Sequence, residues 1–412
     1  MDKNITDKIH PFNFFTSLRS YWLLVFVVAI QACSSDEQPA PMPAENEFFV
    51  SSTELLTVSQ SDIQQLAVLA GFGQFTGLIE NGFTIHRVTY KTTFRDEPIT
   101  ASGLVVIPNG LDGPLPLLSA HHGTIFSNDE APSEFSLTNG ISGFELLSAA
   151  GFVSIIPDFI GYGESKDILH PYYNFKYTSS AILDMISAAK EFLDDQNIRY
   201  SEKLFLIGYS EGGYATLAVQ RAIEEDPDGT LSVTATAAGA GGYDIPGVMD
   251  EILKNDTYDS PGYLAFITYA AIETNQWSEP LTGFFQEPFA SRIPDLFDGS
   301  LTQSGVNNAL SDDLGDLFNP TLLANLRNGV PTQLSDEFRL NSVDDWLPTS
   351  PVKLYHSPGD NIIPIVNSID TANKLIANGG DQVEFVEIGG NSHGSALIPM
   401  LEKAIPWFIS LR

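Results

Sequence analysis

The chain reads as an α/β protein: a mostly parallel central sheet with helices on both faces and a mainly helical cap inserted after the sixth core strand. Three observations predict this. Short apolar runs alternate with helical patterns from residue 115 onward, that rhythm breaks once, between Gly241 and Thr349, and a serine sits where one apolar run meets one helical stretch, in Gly208-Tyr209-Ser210-Glu211-Gly212. Strand and helix alternate when parallel strands are joined by crossovers, because each crossover helix also covers a face of the sheet.

The N-terminus stands apart from this pattern. Lys3, Lys8 and Arg19 precede an apolar run at residues 21–30 that is too short to span a bilayer comfortably and leads into Gln31-Ala32-Cys33. Residues 1–32 are therefore expected to be a secretory signal peptide. Cys33 is the only cysteine, so no disulfide can form within the chain. Its position resembles a bacterial lipobox, with Ile30 where leucine is usual and Gln31 where a small residue is usual. The resemblance implies lipidation at Cys33, attachment to a membrane through that lipid, and a lipoprotein of the bacterial outer membrane. Ser34-Ser35-Asp36-Glu37 resembles a signal for display on the cell surface. An ordinary signal peptide with an incidental cysteine is the other reading. Residues 33–50, with prolines at 39, 41 and 43, are expected to be an extended tether.

The chain as a whole, 412 residues with 43% hydrophobic content, suffices for a large core. The expected division is a core of residues 51–240 and 350–412 with a cap of residues 241–349. Phe83 and Ile85, then Val88 and Tyr90, form an apolar set that changes phase near His86-Arg87, which suits a strand with a bulge. Its hairpin partner is residues 99–108, across Arg95-Asp96-Glu97. Further strands are expected at 115–120, 152–157, 204–207, 231–238, 352–356 and 383–388. Ile182, Met185, Ile186, Ala189 and Phe192 recur at helical spacing over residues 177–193, with Thr178 or Ser179 available as the cap. The inserted span holds Tyr263, Phe266, Tyr269, Trp277, Phe284 and Phe285. For each of these the cap's own core is the simpler reading, and a pocket the alternative.

Twenty Lys and Arg stand against 52 Asp and Glu, a formal charge of −32. Such a surface repels phosphate backbones and anionic head groups, which excludes nucleic acid as a partner and favours neutral substrates over acidic ones. Solubility alone would account for the charge equally well.

The chemistry rests on a serine. A strand-to-helix turn holds its serine in a strained conformation, and the flanking glycines, with Gly213 and Ala215, let strand and helix approach closely. A second GxSxG match, Gly390-Asn391-Ser392-His393-Gly394, lies in a similar local context. Chain order separates them. Where such an elbow carries the nucleophile of a triad, the acid and then the histidine follow it, and no histidine lies beyond His393. Ser210 is the candidate nucleophile. His393, in a Gly-rich loop after the last strand, is the candidate base. His356 lies inside an apolar strand and reads as structural. Asp360, on the Ser357-Pro358-Gly359-Asp360 turn, is the candidate acid, whereas Asp370 and Asp381 fit solvated surface positions. Two N–H donors must meet the developing oxyanion. Glu211 supplies one, and Thr124, or alternatively Gly123, supplies the other from the His121-His122-Gly123-Thr124 turn. His121 and His122 point to opposite faces of a strand and do not make a metal site.

GYSEGG, the HHGT turn, PGDNIIP and NSHG, around a helical insertion, resemble an α/β-hydrolase serine esterase over roughly residues 80–412. Asp158-Phe159-Ile160-Gly161-Tyr162-Gly163-Glu164-Ser165, then His170-Pro171-Tyr172 and Gly242-Tyr243-Asp244, resemble more narrowly the secretory lipase group that includes the yeast lipase A enzymes. The resemblance implies carboxylic-ester hydrolysis with no cofactor. It also implies that the aromatic turns border the site, which makes Tyr209, His122 and Tyr162 candidate substrate-binding residues. A peptidase, an acyltransferase, or a non-catalytic glycan-binding lipoprotein on the same scaffold are the other readings.

Overall fold

The computed structural model describes residues 46–135 and 143–412, so Cys33, the expected signal segment and most of the expected tether lie outside the described residues. The first element is strand β1 (Phe49–Val58), followed by helix α1 (Gln60–Leu69). Neither is among the sequence expectations. β1 is an edge strand whose positions are mostly exposed and carry Ser, Thr and Glu, so it shows no clear alternation.

Strands β2 (Phe83–Phe94) and β3 (Glu97–Pro108) form the expected hairpin. Its turn is tighter than expected. Arg95 and Asp96 both adopt positive φ, 52° and 62°, and Phe94 pairs directly with Glu97, as in a two-residue hairpin loop. The expected bulge in β2 is absent from its pairing with β3, which runs one to one along the whole strand. The phase change has another cause. Phe83 and Ile85 pack into the core on one sheet face, and Val88 and Tyr90 into the core on the other, so the strand passes from burying one side to burying the other. The register shift beside His86 belongs to β1, between Glu54 and Leu56.

Strands and helices then alternate: β4 (Leu115–His121), α2 (Leu146–Ala149), β5 (Val153–Pro157), α3 (Phe175–Asp195), β6 (Tyr200–Tyr209), α4 (Glu211–Glu225) and β7 (Val233–Gly239). α3 begins one turn earlier than expected. Asn174, not Thr178 or Ser179, caps it by accepting a hydrogen bond from the Tyr177 N–H.

Between β7 and the next strand lie α5 (Ile245–Leu253), α6 (Pro261–Thr274), α7 (Ile293–Leu296), α8 (Gln303–Ala309), α9 (Leu314–Leu317), α10 (Pro320–Arg327) and α11 (Gln333–Leu340). This is the helical insertion. With β1 counted, it follows the seventh strand of the chain. The fold closes with β8 (Val352–His356), α12 (Ile365–Ala377), β9 (Val383–Glu387) and α13 (Leu397–Leu411).

The nine described strands form one sheet in the order β1-β2-β3-β5-β4-β6-β7-β8-β9, parallel from β5 to β9. Alternate residues of β6 face opposite layers. Phe205 and Ile207 pack with Met400, Ala404 and Phe408 of α13, while Leu204 and Leu206 pack with α3 and α4. Burial on both faces explains why these strands read as continuous apolar runs. A third core joins the insertion to α4 and α12 and contains Phe266, Phe284 and Phe285. No described helix is long and apolar enough to cross a membrane.

Candidate active site

Three loops at the carboxyl ends of the parallel strands converge on Ser210. The serine lies between the last residue of β6 and the first of α4, at φ 60° and ψ −125°, a conformation that non-glycine residues rarely adopt. Packing enforces it. A Cβ at Gly208 would lie 2.2 Å from the Gly212 carbonyl oxygen, and one at Gly212 would lie 2.0 Å from that of His121, so glycine is required at both flanks. The Ser210 N–H donates to the Gly239 carbonyl of β7 at 2.8 Å, which ties the turn to the neighbouring strand.

Asp360 comes from the turn after β8 and His393 from the loop after β9. His393 Nδ1 lies 2.6 Å from Asp360 Oδ2, and His393 Nε2 lies 2.7 Å from Ser210 Oγ. A carboxylate only accepts, so Nδ1 carries the proton and Nε2 is free to accept the serine proton. The remaining acceptor positions of the acid are filled. Asp360 Oδ1 accepts the N–H groups of Ile362 and Ile363, both at 2.9 Å. His356 Nε2 stands 3.2 Å from Oδ2 and 3.1 Å from the Ile363 carbonyl oxygen, and both are acceptors, so this nitrogen is protonated. Burial alone would raise the Asp360 carboxyl. Hydrogen bonds from His356 and His393 outweigh it and hold the group well below the usual carboxylate range.

The His393 loop is fixed through its backbone. Its N–H donates to Asn361 Oδ1 at 3.2 Å, and its carbonyl accepts from the Tyr209 hydroxyl at 2.7 Å. The rival serine does not reach this set: Ser392 Oγ donates to Ser395 Oγ at 3.1 Å, inside its own loop.

Of the expected oxyanion donors, Glu211 is the first residue of α4, where an N–H has no intrahelical acceptor. Gly123 faces Ser210, since a Cβ there would sit 3.5 Å from Ser210 Cβ. Next to it, Thr124 Oγ1 and the Tyr172 hydroxyl lie 2.8 Å apart.

The expected substrate contacts lie apart from the cleft at Ser210. Ser210 opens into an apolar cleft of about 480 Å³, open mouth included, walled by Tyr172, Tyr173, Met249, Ile252, Leu264 and Ile267. Tyr209, His122 and Tyr162 do not line it. Tyr209 points behind the His393 loop, as its hydrogen bond requires. His122 is turned away: its Nδ1 lies 2.7 Å from the Gly123 carbonyl oxygen, its Nε2 3.1 Å from that of Asp158, and its ring packs on Phe159 at 4.3 Å. The Tyr162 hydroxyl donates to the Ile125 carbonyl at 2.6 Å. Of the aromatics noted in the insertion, Tyr263 lines the cleft, and Phe266, Phe284 and Phe285 are core.

Two arrangements escaped the sequence reading. His356 contacts the acid, a role hinted at only by its spacing of four residues from Asp360. His170 and Glu211 form a buried pair, His170 Nε2 to Glu211 Oε1 at 2.6 Å, joined across 41 positions that no local pattern connects. His121 is a buried structural residue. Thr216 Oγ1 donates to the Gly212 carbonyl and so accepts from His121 Nδ1 at 2.7 Å, while Nε2 faces Ser119 Oγ at 2.9 Å. Among the described residues, no group of three or more His, Cys, Asp or Glu side chains could hold a metal ion.

The sequence matches the secretory lipase family over residues 141–411. It is 25% identical over 276 residues to Lipase 5 of Candida albicans, which covers 63% of this chain and 54% of that protein. The chain thus spans about half the length of the curated relatives it matches. Among solved structures, it resembles a Legionella pneumophila protein assigned as a hydrolase, at 25% identity and TM-score 0.81, over 89% of this chain and 98% of that one. It also resembles the rice cell wall degrading esterase LipA from Xanthomonas oryzae, at 24% identity and TM-score 0.77, over 90% of this chain and 98% of that one.

Proposed function

The chain belongs to the secretory lipase family, and from that premise we propose that it is a serine-dependent carboxylic-ester hydrolase acting through an acyl-enzyme. The observation that carries this reading is the continuous chain of hydrogen bonds from Asp360 through His393 to Ser210 Oγ. Ser210 Oγ forms a bond to the carbonyl carbon as its proton passes to His393 Nε2. The carbonyl oxygen takes the displaced electron pair and meets the N–H groups of Glu211 and of Thr124 or Gly123. Collapse breaks the bond to the alcohol oxygen, which leaves with the proton held by His393. Water then repeats both steps on the acyl group and restores Ser210.

The apolar wall at Ser210 supports a neutral acyl chain as the part of the substrate that enters, and the acidic surface supports a neutral substrate overall. We further read the protein as exported and held at a membrane by lipid on Cys33.

Turnover of nitrophenyl esters from acetate to palmitate, with a peptide control, tests the reading. Ser210→Ala is expected to lose at least about 10³-fold in kcat, and Ser392→Ala to change it less than about threefold. Substantial ester turnover by Ser210→Ala would overturn the assignment.

A further inference from the structure

The residue directly after the candidate nucleophile carries a carboxylate, a poor neighbour for an oxyanion. Glu211 is buried in the first turn of α4, and its backbone N–H is one of the two donors proposed to receive the developing negative charge. Its side-chain charge therefore lies no more than a side-chain length from that place. Inside a protein, where water cannot screen it, an ionised carboxylate there opposes the transition state.

The hydrogen bonds of His170 resolve the conflict. His170 Nδ1 lies 2.6 Å from the Ile160 carbonyl oxygen, which can only accept, so Nδ1 bears a proton. His170 Nε2 lies 2.6 Å from Glu211 Oε1, a separation that requires a second proton between them. Whichever atom holds that proton, the pair has no net charge. The other oxygen, Glu211 Oε2, is buried and has no hydrogen-bond partner among the described residues. The tyrosines around the pair add no charge of their own. Burial pushes the hydroxyls of Tyr162, Tyr172 and Tyr214 well above their usual range, and they stay neutral.

We propose that His170 is a positioning residue for catalysis that acts through Glu211: its second proton neutralises the carboxylate beside the oxyanion site, and the pair ties the turn carrying Tyr172 and Tyr173 to the nucleophile. The proposal rests on the reading of Ser210 as nucleophile and of the Glu211 N–H as an oxyanion donor.

A charge-cancellation set tests it. His170 is packed among Phe159, Tyr162, Tyr172 and Phe266, so phenylalanine fits the same space. His170→Phe strands the carboxylate and is expected to lower kcat by about 10²-fold with KM changed far less. In the double variant His170→Phe with Glu211→Gln, the pair's charge is absent altogether, and kcat is expected to recover by at least about tenfold over His170→Phe. A double variant no faster than the single one, or a His170→Phe enzyme of wild-type kcat, overturns the proposal. Should His170→Phe fail to fold, His170→Gln with and without Glu211→Gln supplies the same comparison. Ser210→Ala, assayed alongside, separates failure of this inference from failure of the underlying reading: an active Ser210→Ala enzyme removes the reading itself, while an inactive one leaves the double variant decisive.

Discussion

His121 shows how a single buried side chain links the site to acid stability. Its ring accepts and donates hydrogen bonds only as a neutral imidazole, and desolvation, then the neighbouring His122, lowers its pKa to about 3. The unfolded chain takes up that proton near pH 6.5, as a free histidine does. Between these values the unfolded state binds more protons, so the group's contribution is fully present above about pH 6.5 and is lost as pH falls toward 3. Wild-type unfolding free energy in urea should therefore decline by several kcal/mol in order of magnitude across that window. His121→Gln should show a visibly shallower decline, and equal slopes would assign the effect to other groups. Asp360 adds little over most of this range, because its pKa is depressed and its contribution is lost only as pH falls below the ordinary carboxylate value. The meeting of Asp360, His393 and Ser210 was legible in the sequence, because chain order and loop position depend on the backbone alone. The contact of His356 with Asp360 and the pairing of the Glu211 side chain with His170 were not, since they depend on where side-chain atoms meet, at 3.2 Å in one case and 2.6 Å in the other.

Two helices of the insertion set what the cleft can hold. Met249 and Ile252 of α5 face Leu264 and Ile267 of α6, and Ser210 lies at the same cleft. Filling that space should shorten the acyl chain accepted without disturbing the reaction. Met249→Trp is expected to lower kcat/KM for palmitate esters by about tenfold or more while acetate and butyrate esters change little, as a few displaced methylenes would predict. A uniform loss across chain lengths would show that the acyl group lies elsewhere. The strands of the central sheet were readable because both faces bury apolar residues, as Phe205 and Leu206 do on opposite sides of β6. β1 was not, because an exposed edge strand of Ser, Thr and Glu has no periodic signal. The phase change in β2 was real, but its cause, a switch of buried face between Ile85 and Val88, is set by the helices packed on each side. Which aromatics of the insertion wall the cleft likewise depends on packing: Tyr263 does and Phe285 does not.

At the scale of the molecule, an excess of 32 negative charges opposes adhesion to an anionic membrane through charge alone. The proposed attachment would draw instead on acyl chains at Cys33, each buried methylene contributing about 0.8 kcal/mol. Cells fed radioactive palmitate should label the wild-type protein and leave Cys33→Ser unlabelled, with the variant recovered in the soluble fraction. Equal labelling of the two would refute lipidation at this residue. The long insertion enters the chain between β7 and β8, after the elbow that bears Ser210 and before the loops that bear Asp360 and His393. None of those three side chains belongs to it. A lineage can therefore lengthen, prune or rebuild that segment and still inherit Ser210, Asp360 and His393 in their mutual positions, so the taste for one ester or another could drift under the proposed chemistry while the trio itself is handed down.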